Sequence, residues 1–416
     1  MSNSYLNRAA DPVLREMLED HAGILVVGPR ATGKTTSCER LALSAVQLSD
    51  PNVAEAFRSS PSSVLSGLDE PVLIDEWQEV PSSLQAVKMA LDARPDRGRY
   101  IITGSVRGDI DAPTWPGTGR LVRLSIYGLT EREIEGRISG PSWFSMLLSG
   151  QPPSVERSEI DLRGYVRRAL RSGFPEAVLA TSDRGRGRWL ESYVDQLVTR
   201  DASLLVHSRH PQRLRAYLTA LALNSAGTVD DVTLWTAAGI SKDTARKYDD
   251  LLQNLLTTER LPAWTSNRLK RLTLPPKRYL VDPGLFAGIL GVTENDVVTD
   301  ANLLGRVIET FVVAQIRSEV ALMSPAPRLH HLRTGEGRQE IDLVVELGAR
   351  RLVAIEIKAT SSPSSRDSRH LRWFRRELGT DCIATVLFHT GPFMFTLEDG
   401  TIAAPISALW SQSAIK

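Results

Sequence analysis

The chain has 416 residues, a length that predicts two or three domains. Hydrophobic residues make up 42% and charged residues 24%, a balance that is typical of a folded globular protein and excludes wholesale disorder. The formal net charge of +1 gives no global signature of a polyanion-binding protein, so any such role depends on local patches.

Cysteine usage and the lack of long apolar runs indicate where the protein resides. Cys38 and Cys382 lie far apart without metal-site spacing, which is typical of a reduced compartment and argues against a disulfide framework. No apolar run approaches the roughly 20 residues that span a bilayer, and the polar start of the chain is unlike a signal peptide. The sequence therefore predicts a soluble, cytoplasmic protein without a membrane partner.

The first third of the chain alternates strand and helix patterns. Short apolar runs predict buried strands at residues 24–28, 45–48, 72–75, 100–103 and 121–126. Helices are predicted within residues 1–20, from Gly33 onward and over residues 82–93. This alternation favours an α/β fold with a parallel sheet covered by helices.

The segment after the first strand carries a phosphate-binding pattern. From Gly28 to Thr35 it fits G-x-x-x-x-G-K-[ST], between a strand and a helix. The glycines let backbone N–H groups curl around phosphate oxygens at the positive end of a helix. Lys34 would reach the β- and γ-phosphates, and the Thr35 hydroxyl would bind Mg²⁺. The predicted nucleotide-binding residues are Gly28, Pro29, Arg30, Ala31, Thr32, Gly33, Lys34, Thr35 and Thr36.

Two acidic residues end a later apolar strand. In Leu73-Ile-Asp-Glu, Asp75 has the place at which a carboxylate holds Mg²⁺ in P-loop enzymes. Glu76 can polarise an attacking water, which favours a hydrolase over a kinase. We therefore predict Thr35 and Asp75 as metal ligands and Glu76 as a catalytic residue; the alternative is an ordinary acidic strand end.

Hydroxyl and arginine side chains follow the next two strands. Thr103 and Ser105 end the strand at residues 100–103, where they can sense a γ-phosphate, although turn-forming residues are an equal alternative. Candidates for an arginine that stabilises phosphate charge are Arg107, Arg120 and Arg123, and the sequence leaves open which of them acts and whether it acts within one chain or across subunits. We assign Arg120 to the nucleotide site as the working prediction.

The middle of the chain changes character twice. Residues 139–162 are rich in Pro, Gly and Ser and predict a linker between a P-loop domain (1–138) and a helical region (163–229). Residues 230–295 read as a helix, a turn that Ser241 can cap, a second helix and a hairpin, the order of a winged helix. Cations that can contact nucleic acid are Lys242, Arg246, Lys247, Arg268, Lys270 and Arg271. The alternative is a module that packs only against neighbouring domains.

Residues 296–416 predict a separate α/β domain. A helix at 303–320 precedes strands at 329–333, 340–346 and 351–358, a helix at 368–378 and a strand at 382–388. Residues i and i+2 of a strand share a face, so Glu356 and Lys358 should point the same way, with Asp342 on the neighbouring strand. Two carboxylates can bind Mg²⁺ and activate a water. The alternative is a strand with solvated charges and one salt bridge.

This arrangement resembles the core of the PD-(D/E)XK nucleases, which have an Asp on one strand and Glu-x-Lys on the next. The resemblance implies catalytic roles for Asp342, Glu356 and Lys358, with Asp342 and Glu356 as metal ligands. Glu309, on the preceding helix, matches the helical glutamate of many such nucleases and is a further predicted catalytic residue. Some members bind nucleic acid without cutting it, so cleavage and binding both stay open.

The chain as a whole resembles prokaryotic AAA-superfamily ATPases with a C-terminal domain of unknown function. The motifs are the P-loop, Ile74-Asp-Glu-Trp-Gln, Thr103-Gly-Ser, Gly119-Arg, Tyr127-Gly-Leu-Thr-Glu-Arg-Glu, Gly173-Phe-Pro-Glu-Ala, Arg200-Asp and Lys277-Arg-Tyr-Leu-Val-Asp-Pro-Gly-Leu. The resemblance implies an AAA-like ATPase domain, a helical and winged-helix middle and a restriction-endonuclease-like end. It also favours ATP over GTP, with Mg²⁺ as the metal. Such ATPases often form rings, so a homo-oligomer stays open.

Three functions are compatible with these patterns. The first is an ATPase coupled to a Mg²⁺-dependent nuclease, with nucleic acid, expected to be DNA, as the partner. The second is an ATP-driven switch whose C-terminal domain binds nucleic acid without cutting it. The third is a signalling or defence ATPase whose C-terminal domain holds a protein partner. Stimulation of ATP hydrolysis by nucleic acid separates the third from the others.

Overall fold

The computed structural model describes residues 5–106, 118–150, 154–201, 210–271, 274–348 and 350–411. Packing divides the chain into two compact units, Met1–Gly128 with Gln253–Leu256 and Leu129–Leu252 with Thr257–Lys416. Within the described ranges, no helix has the length and apolar character needed to cross a membrane. The sequence predicts a finer division into five segments (1–138, 139–162, 163–229, 230–295 and 296–416), which stays a proposal.

The first unit is built on a five-stranded parallel sheet in the order β2-β3-β4-β1-β5. The strands are β1 (Gly23–Val27), β2 (Ser44–Gln47), β3 (Val72–Asp75), β4 (Tyr100–Gly104) and β5 (Leu121–Ser125). Every residue of β1, β3 and β4 is buried, as expected for inner strands covered on both faces. The predicted parallel sheet is confirmed, and each strand begins and ends within one residue of its predicted bounds.

Helices connect these strands. They are α1 (Ala10–Asp20), α2 (Lys34–Glu39), α3 (Pro51–Ser59), α4 (Pro61–Ser66) and α5 (Ser83–Ala93). The lead-in helix begins at Ala10, and residues 1–4 lie outside the described ranges. Because the strands are parallel, their carboxyl ends share one edge of the sheet, and the loops after β1, β3 and β4 meet there.

Helices also dominate the chain from Leu129 onward. They are α6 (Glu131–Ile134), α7 (Trp143–Leu148), α8 (Leu162–Arg171), α9 (Pro175–Val178), α10 (Asp183–Gln196), α11 (Pro211–Leu223), α12 (Asp231–Ala237), α13 (Lys242–Asn254), α14 (Arg268–Arg271), α15 (Leu285–Leu290), α16 (Glu294–Thr299), α17 (Ala301–Val320) and α18 (Arg369–Leu378).

Helix α7 lies inside the predicted linker at residues 139–162, which stays a prediction. It begins after the cap Ser142, whose hydroxyl accepts a hydrogen bond from Ser145 N. Trp143 and Phe144 are fully buried. Burial of two large aromatic side chains outweighs the local composition, so Trp143–Leu148 forms a packed helix.

A two-stranded antiparallel hairpin follows α13. It pairs β6 (Thr258–Leu261) with β7 (Lys277–Leu280). The predicted order of helix, turn, helix and hairpin is present, and Ser241 Oγ caps α13 by accepting a hydrogen bond from Thr244 N at 3.3 Å. The hairpin connection carries the additional short helix α14. The winged-helix assignment itself stays a prediction.

A six-stranded mixed sheet in the order β12-β13-β11-β10-β9-β8 forms the C-terminal part. The strands are β8 (Arg328–Arg333), β9 (Glu340–Leu347), β10 (Arg351–Ile357), β11 (Cys382–His389), β12 (Phe395–Thr396) and β13 (Ile402–Pro405). The first four correspond to predicted strands, whereas β12 and β13 are absent from the prediction. Buried residues of this sheet and of α18 share one apolar core: Leu332, Ile341, Val344, Leu352, Ala354, Leu371, Phe374, Cys382 and Leu387.

The hairpin is fixed to the edge of this sheet. His331, on the edge strand β8, donates its backbone N–H to Pro262 O at 3.0 Å and accepts from Trp264 N at 2.6 Å. The Trp264 ring lies edge-on to Phe374 of α18, with 5.4 Å between the ring centroids. These contacts tie the segment after β6 to the sheet edge, and β7 is paired with β6.

Candidate functional sites

The loop from Gly28 to Thr35 leaves β1 at the carboxyl edge of the parallel sheet and enters α2. Glycine is required at two of its positions. A Cβ atom on Gly28 would lie 1.9 Å from the carbonyl oxygen of Ile126, and Gly33 has a φ of 82°, which other residues adopt only with strain. The loop therefore has the tight curl of a phosphate-binding loop.

Lys34 lies inside this loop. Its Nζ donates to Pro29 O at 2.8 Å, and Thr32 Oγ1 donates to the same carbonyl at 2.9 Å. The Lys34 side chain is buried, and burial lowers its pKa from 10.5 to about 8 because the ammonium loses hydration. The cation is thus held at the place where the loop would cradle a phosphate.

Arg8 supports the loop and is a residue that sequence reasoning missed. Its buried guanidinium donates through Nη1 to Thr32 O and through Nη2 to Tyr127 O, both at 2.8 Å. These bonds link the phosphate-binding loop to the chain after β5. Nothing in the local sequence around Arg8 marks it, because its partners lie 24 and 119 residues away.

Thr35 and Asp75 meet at the carboxyl edge of the sheet. Thr35 Oγ1 donates to Asp75 Oδ1 at 2.8 Å. Thr103 Oγ1, at the end of β4, donates to the same oxygen and accepts from Glu76 N at 3.3 Å. Hydroxyl and carboxylate oxygens are the ligands that Mg²⁺ prefers, so the two predicted ligands, Thr35 and Asp75, fit that ion.

Glu76 is held in a constrained conformation. Its φ of 55° lies in the left-handed region, which is sparsely populated by residues other than glycine and recurs at functional sites. Its Oε2 accepts from Ser105 Oγ at 3.1 Å and from Gln78 Nε2. Arg30 Nε in turn donates to Ser105 Oγ at 3.2 Å. The prediction included Arg30, Ser105 and Glu76 but not Gln78, although Gln78 belongs to the quoted Asp-Glu-Trp-Gln motif.

Arg120 lies away from the phosphate-binding loop, which corrects its assignment to the nucleotide site. It precedes β5, whose first residue pairs with the first residue of β1, whereas the loop follows the last residue of β1. The five strand residues between these ends span about 16 Å, at about 3.3 Å per residue. Arg120 Nε instead donates to Asp92 Oδ1 at 2.8 Å. Arg123 is an exposed residue within β5, and Arg107 lies outside the described residues.

A lysine joins two of the acidic residues predicted for the C-terminal site. Lys277 of β7 donates through Nζ to Glu309 Oε1 of α17 at 2.5 Å and to Asp342 Oδ1 of β9 at 3.1 Å. Tyr279 OH, two residues along β7, donates to Glu309 Oε1 at 2.6 Å. The Lys277 side chain is only 2% exposed. Neither Lys277 nor Tyr279 is in the predicted site, although both belong to the quoted Lys-x-Tyr motif.

Glu356 and Lys358 complete this cluster and contact each other. Lys358 Nζ donates to Glu356 Oε1 at 2.5 Å. The backbone N–H of Ile357, between them, donates to Asp342 Oδ2 at 2.9 Å. Glu356 Oε2 has no hydrogen-bond partner within the described part of the chain. The structure thus brings together all four residues that the nuclease-like pattern singled out.

Burial and neighbouring charges together set the pKa values of the cluster. Burial, reinforced by the charge of Asp342, raises the pKa of Glu309 to about 7 and that of Glu356 to about 8. Burial would also raise the pKa of Asp342, but the ammonium groups of Lys277 and Lys358 outweigh it and lower that pKa. Burial would lower the pKa of Lys277, but its anionic neighbours raise it well above the ordinary value. Asp342 and Lys277 therefore form a charged pair.

The oxygens of this cluster do not fit the predicted metal site. Of the four carboxylate oxygens of Asp342 and Glu356, three accept N–H hydrogen bonds, two of them from ammonium groups. A divalent cation needs such oxygens free to coordinate it. Among the residues that the structure describes, no three His, Cys, Asp or Glu side chains are grouped so that they could hold a metal ion. Lys277 and Lys358 donate hydrogen bonds to oxygens that the prediction assigned to Mg²⁺.

The cations at the start of α13 face solvent. Lys242, Arg246 and Lys247 are exposed, and none of them forms an ion pair within the described ranges. They lie on the first two turns of the helix that follows the Gly-Ile-Ser turn. Their charges are therefore available to a phosphate backbone.

The cations of the hairpin connection differ from those of α13. Arg271 donates through Nη1 and Nη2 to Glu346 Oε2 and Oε1, at 2.8 and 3.2 Å, and its side chain is 10% exposed. This buried, bidentate pair corrects the prediction that Arg271 contacts phosphate. Lys270 is exposed, and the Arg268 side chain lies outside the described residues.

Three segments of the chain match known domain families. Residues 20–135 match the AAA domain. This range contains the phosphate-binding loop together with Asp75, Glu76, Thr103 and Ser105. The match supports a P-loop ATPase domain at the N-terminal end, and with it ATP binding and hydrolysis. Residues 162–296 and 304–409 match two domains of unknown function, DUF8612 and DUF4143.

Relatives of the chain occur in mycobacteria. The chain is 28% identical over 412 residues to the uncharacterized proteins Rv2008c of Mycobacterium tuberculosis and Mb2031c of Mycobacterium bovis, covering 98% of this chain and 85% of each relative. Among solved structures, the Walker-type ATPase paby2304 of Pyrococcus abyssi aligns with a TM-score of 0.42 at 12% identity, over 70% of this chain and 97% of that one. Protein VC1899 from Vibrio cholerae aligns with a TM-score of 0.20 at 12% identity, over 93% of this chain and 95% of that one.

Proposed function

We propose that this protein is a Mg²⁺-dependent ATPase whose hydrolysis is coupled to nucleic acid bound by its C-terminal half. One observation carries the ATPase part of the proposal. Thr35 Oγ1 donates a hydrogen bond to Asp75 Oδ1 at 2.8 Å, next to the phosphate-binding loop that contains Lys34. The AAA-domain match over residues 20–135 supports the same assignment.

Each residue of the site has a chemical role in this proposal. Backbone N–H groups of the loop bind phosphate oxygens, and Lys34 neutralises the charge that develops during transfer of the γ-phosphoryl group. Thr35 and Asp75 hold Mg²⁺, which neutralises phosphate charge when it is bound. Glu76 accepts a proton from the attacking water, and the hydrogen bond from Ser105 orients its carboxylate.

Replacing Glu76 by glutamine is expected to stop hydrolysis while ATP binding persists. Glutamine keeps the size of the side chain but cannot accept the proton, so the rate should fall by on the order of 10²–10⁴. Steady-state phosphate release and titration with a fluorescent ATP analogue measure the two properties separately.

Glu79→Gln is the matched control for this substitution. Glu79 lies in the same short turn, Trp77–Glu79, and its side chain is exposed. It should hydrolyse ATP like the unmodified protein. If Glu76→Gln hydrolyses ATP at the unmodified rate, Glu76 is not the residue that accepts the proton. The only role left to this acidic pair would then be metal binding by Asp75.

The nucleic-acid part of the proposal rests on the exposed cations of α13. Lys242, Arg246 and Lys247 project from the start of a helix that follows a turn, the position from which helix-turn-helix proteins contact nucleic acid. Binding without cutting has better support than metal-dependent cleavage, because Lys277 lies between Glu309 and Asp342. DNA is the partner that this geometry favours, since a helix fits its major groove.

Replacing Arg246 and Lys247 together by alanine is expected to weaken nucleic-acid binding and its salt dependence. Each lost phosphate contact lowers the slope of log K against log salt by about 1, so the slope should fall by about 2. Fluorescence anisotropy with labelled DNA and RNA at several salt concentrations measures this. The double variant Arg184→Ala/Arg188→Ala removes the same charge from exposed positions of α10 and should leave the slope unchanged. Equal slopes in both double variants would contradict the assignment.

A further inference from the structure

The C-terminal carboxylate cluster contains a cation that belongs to the chain itself. Lys277 Nζ lies 2.5 Å from Glu309 Oε1 and 3.1 Å from Asp342 Oδ1, and so occupies the space between α17 and β9 where the two acidic side chains meet. The backbone N–H of Ile357 donates a hydrogen bond to the second carboxylate oxygen of Asp342, Oδ2. Lys358 Nζ donates to Oε1 of Glu356.

The backbone holds this lysine in place. β7 is paired with β6 along its length, and the chain after β6 is bonded to the edge strand β8 through His331. Tyr279 shares the face of Lys277, because residues i and i+2 of a strand point the same way, and both donate to Glu309 Oε1. The backbone at Lys277 is therefore fixed, and its side chain is only 2% exposed among these carboxylates.

We propose that the Lys277 ammonium is the resident cation of this cluster and takes the place of a divalent metal, so that the site clamps the β6–β7 hairpin to α17 and β9 instead of hydrolysing phosphodiesters. An ammonium ion offers three N–H donors to carboxylate oxygens. Unlike a divalent metal ion, it does not coordinate a water and lower its pKa, and it does not coordinate a phosphate oxygen. This inference is independent of ATP hydrolysis and goes beyond the proposed function.

The direct test counts Mn²⁺ ions bound to the full-length, nucleotide-free protein, by electron paramagnetic resonance of free Mn²⁺. The unmodified protein and Asp342→Asn should bind the same number, because Asp342 holds no metal. Asparagine retains an oxygen for the Ile357 N–H, so the variant is conservative. Lys277→Met removes the ammonium from the oxygens of Glu309 and Asp342. This variant should bind one more Mn²⁺ per chain than the unmodified protein, and Lys277→Met/Asp342→Asn should lose that ion again.

Tyr279→Phe is the matched control, because it removes a hydrogen bond to Glu309 and leaves the ammonium in place. It should gain no Mn²⁺. Loss of one Mn²⁺ in Asp342→Asn relative to the unmodified protein would overturn the proposal, and so would Mg²⁺-dependent cleavage of nucleic acid that Asp342→Asn abolishes. Should Lys277→Met fail to fold, the comparison of the unmodified protein with Asp342→Asn decides alone. ATP hydrolysis, measured on the same preparations, separates failure here from failure of the ATPase proposal.

Discussion

Replacing Lys34 by alanine is expected to lower the rate of ATP hydrolysis by on the order of 10²-fold or more. The Lys34 ammonium lies inside the phosphate-binding loop, 2.8 Å from Pro29 O, where it would meet the β- and γ-phosphates. Without it, the negative charge of the transferring group has no buried cation from this loop. Steady-state phosphate release measures the rate, and titration with a fluorescent ATP analogue measures the accompanying loss of affinity.

Lys34 also predicts a pH dependence of ATP binding. Burial lowers its pKa to about 8, so the side chain loses its proton as the pH rises through that value. ATP affinity should therefore fall above about pH 8, and the profile should be flatter in Lys34→Ala. The effect on folding has the opposite sign: between about pH 8 and 10.5 the unfolded chain binds more protons at this lysine than the folded chain, so stability from this group rises with pH.

Lys88→Ala is the control for both measurements. Lys88 lies on α5 and forms a partly exposed pair with Asp92, four residues along the same helix. Pairs of this kind contribute about 0.3–0.5 kcal/mol, so neither hydrolysis nor its pH profile should change. An unaltered rate in Lys34→Ala would show that the loop does not bind the nucleotide that is hydrolysed.

The N-terminal site is predictable from the sequence because its residues follow strands. Asp75 ends β3, Thr103 lies near the end of β4 and the phosphate-binding loop follows β1. The carboxyl ends of parallel strands share an edge, so local patterns alone bring these residues together. The same argument, applied to Arg120, shows why its assignment failed: it precedes its strand and therefore lies at the opposite edge.

Residues that reach the sites from other parts of the chain are not predictable in this way. Arg8 contacts the phosphate-binding loop from the segment before α1, and Lys277 contacts Asp342 across 65 residues of sequence. Such contacts depend on how helices and strands pack against each other. The local hydrophobic pattern of a single sequence does not specify that packing. The quoted Lys-x-Tyr motif did contain a usable signal, since a lysine and a tyrosine that share one face of a strand can both serve a buried carboxylate.

Composition misled the prediction where a few side chains decide the packing. The stretch at residues 139–162 resembles a linker by its Pro, Gly and Ser content, yet it contains the buried side chains of Trp143 and Phe144. The strands β12 and β13 were missed because they are short. They are only two and four residues long, too short to show the alternation by which strands are recognised, and three of the four residues of β13 are Ala403, Ala404 and Pro405.

Replacing Lys277 by methionine is expected to destabilise the C-terminal part by about 3–5 kcal/mol, the range measured when one partner of a buried ion pair is removed. Methionine fills much the same volume, so the loss is electrostatic: Asp342 and Glu309 stay buried without the ammonium that neutralised them. Hydrogen–deuterium exchange of peptides that cover β7 and β9 measures this locally, without requiring the whole chain to unfold in one step. Exchange should become faster by on the order of 10²–10⁴.

The electrostatic origin of this effect is testable because the charges can be removed in pairs. In Lys277→Met/Asp342→Asn the anion is absent together with the cation, and Glu309 can stay protonated, since burial already raises its pKa to about 7. Most of the lost protection should therefore return, whereas a pure packing defect at residue 277 would persist in the double variant. Lys270→Met, an exposed lysine of the same hairpin, should change the free energy of unfolding by no more than about 0.5 kcal/mol. Equal protection in Lys277→Met and Lys270→Met would mean that the buried ammonium does not hold β7 to the sheet.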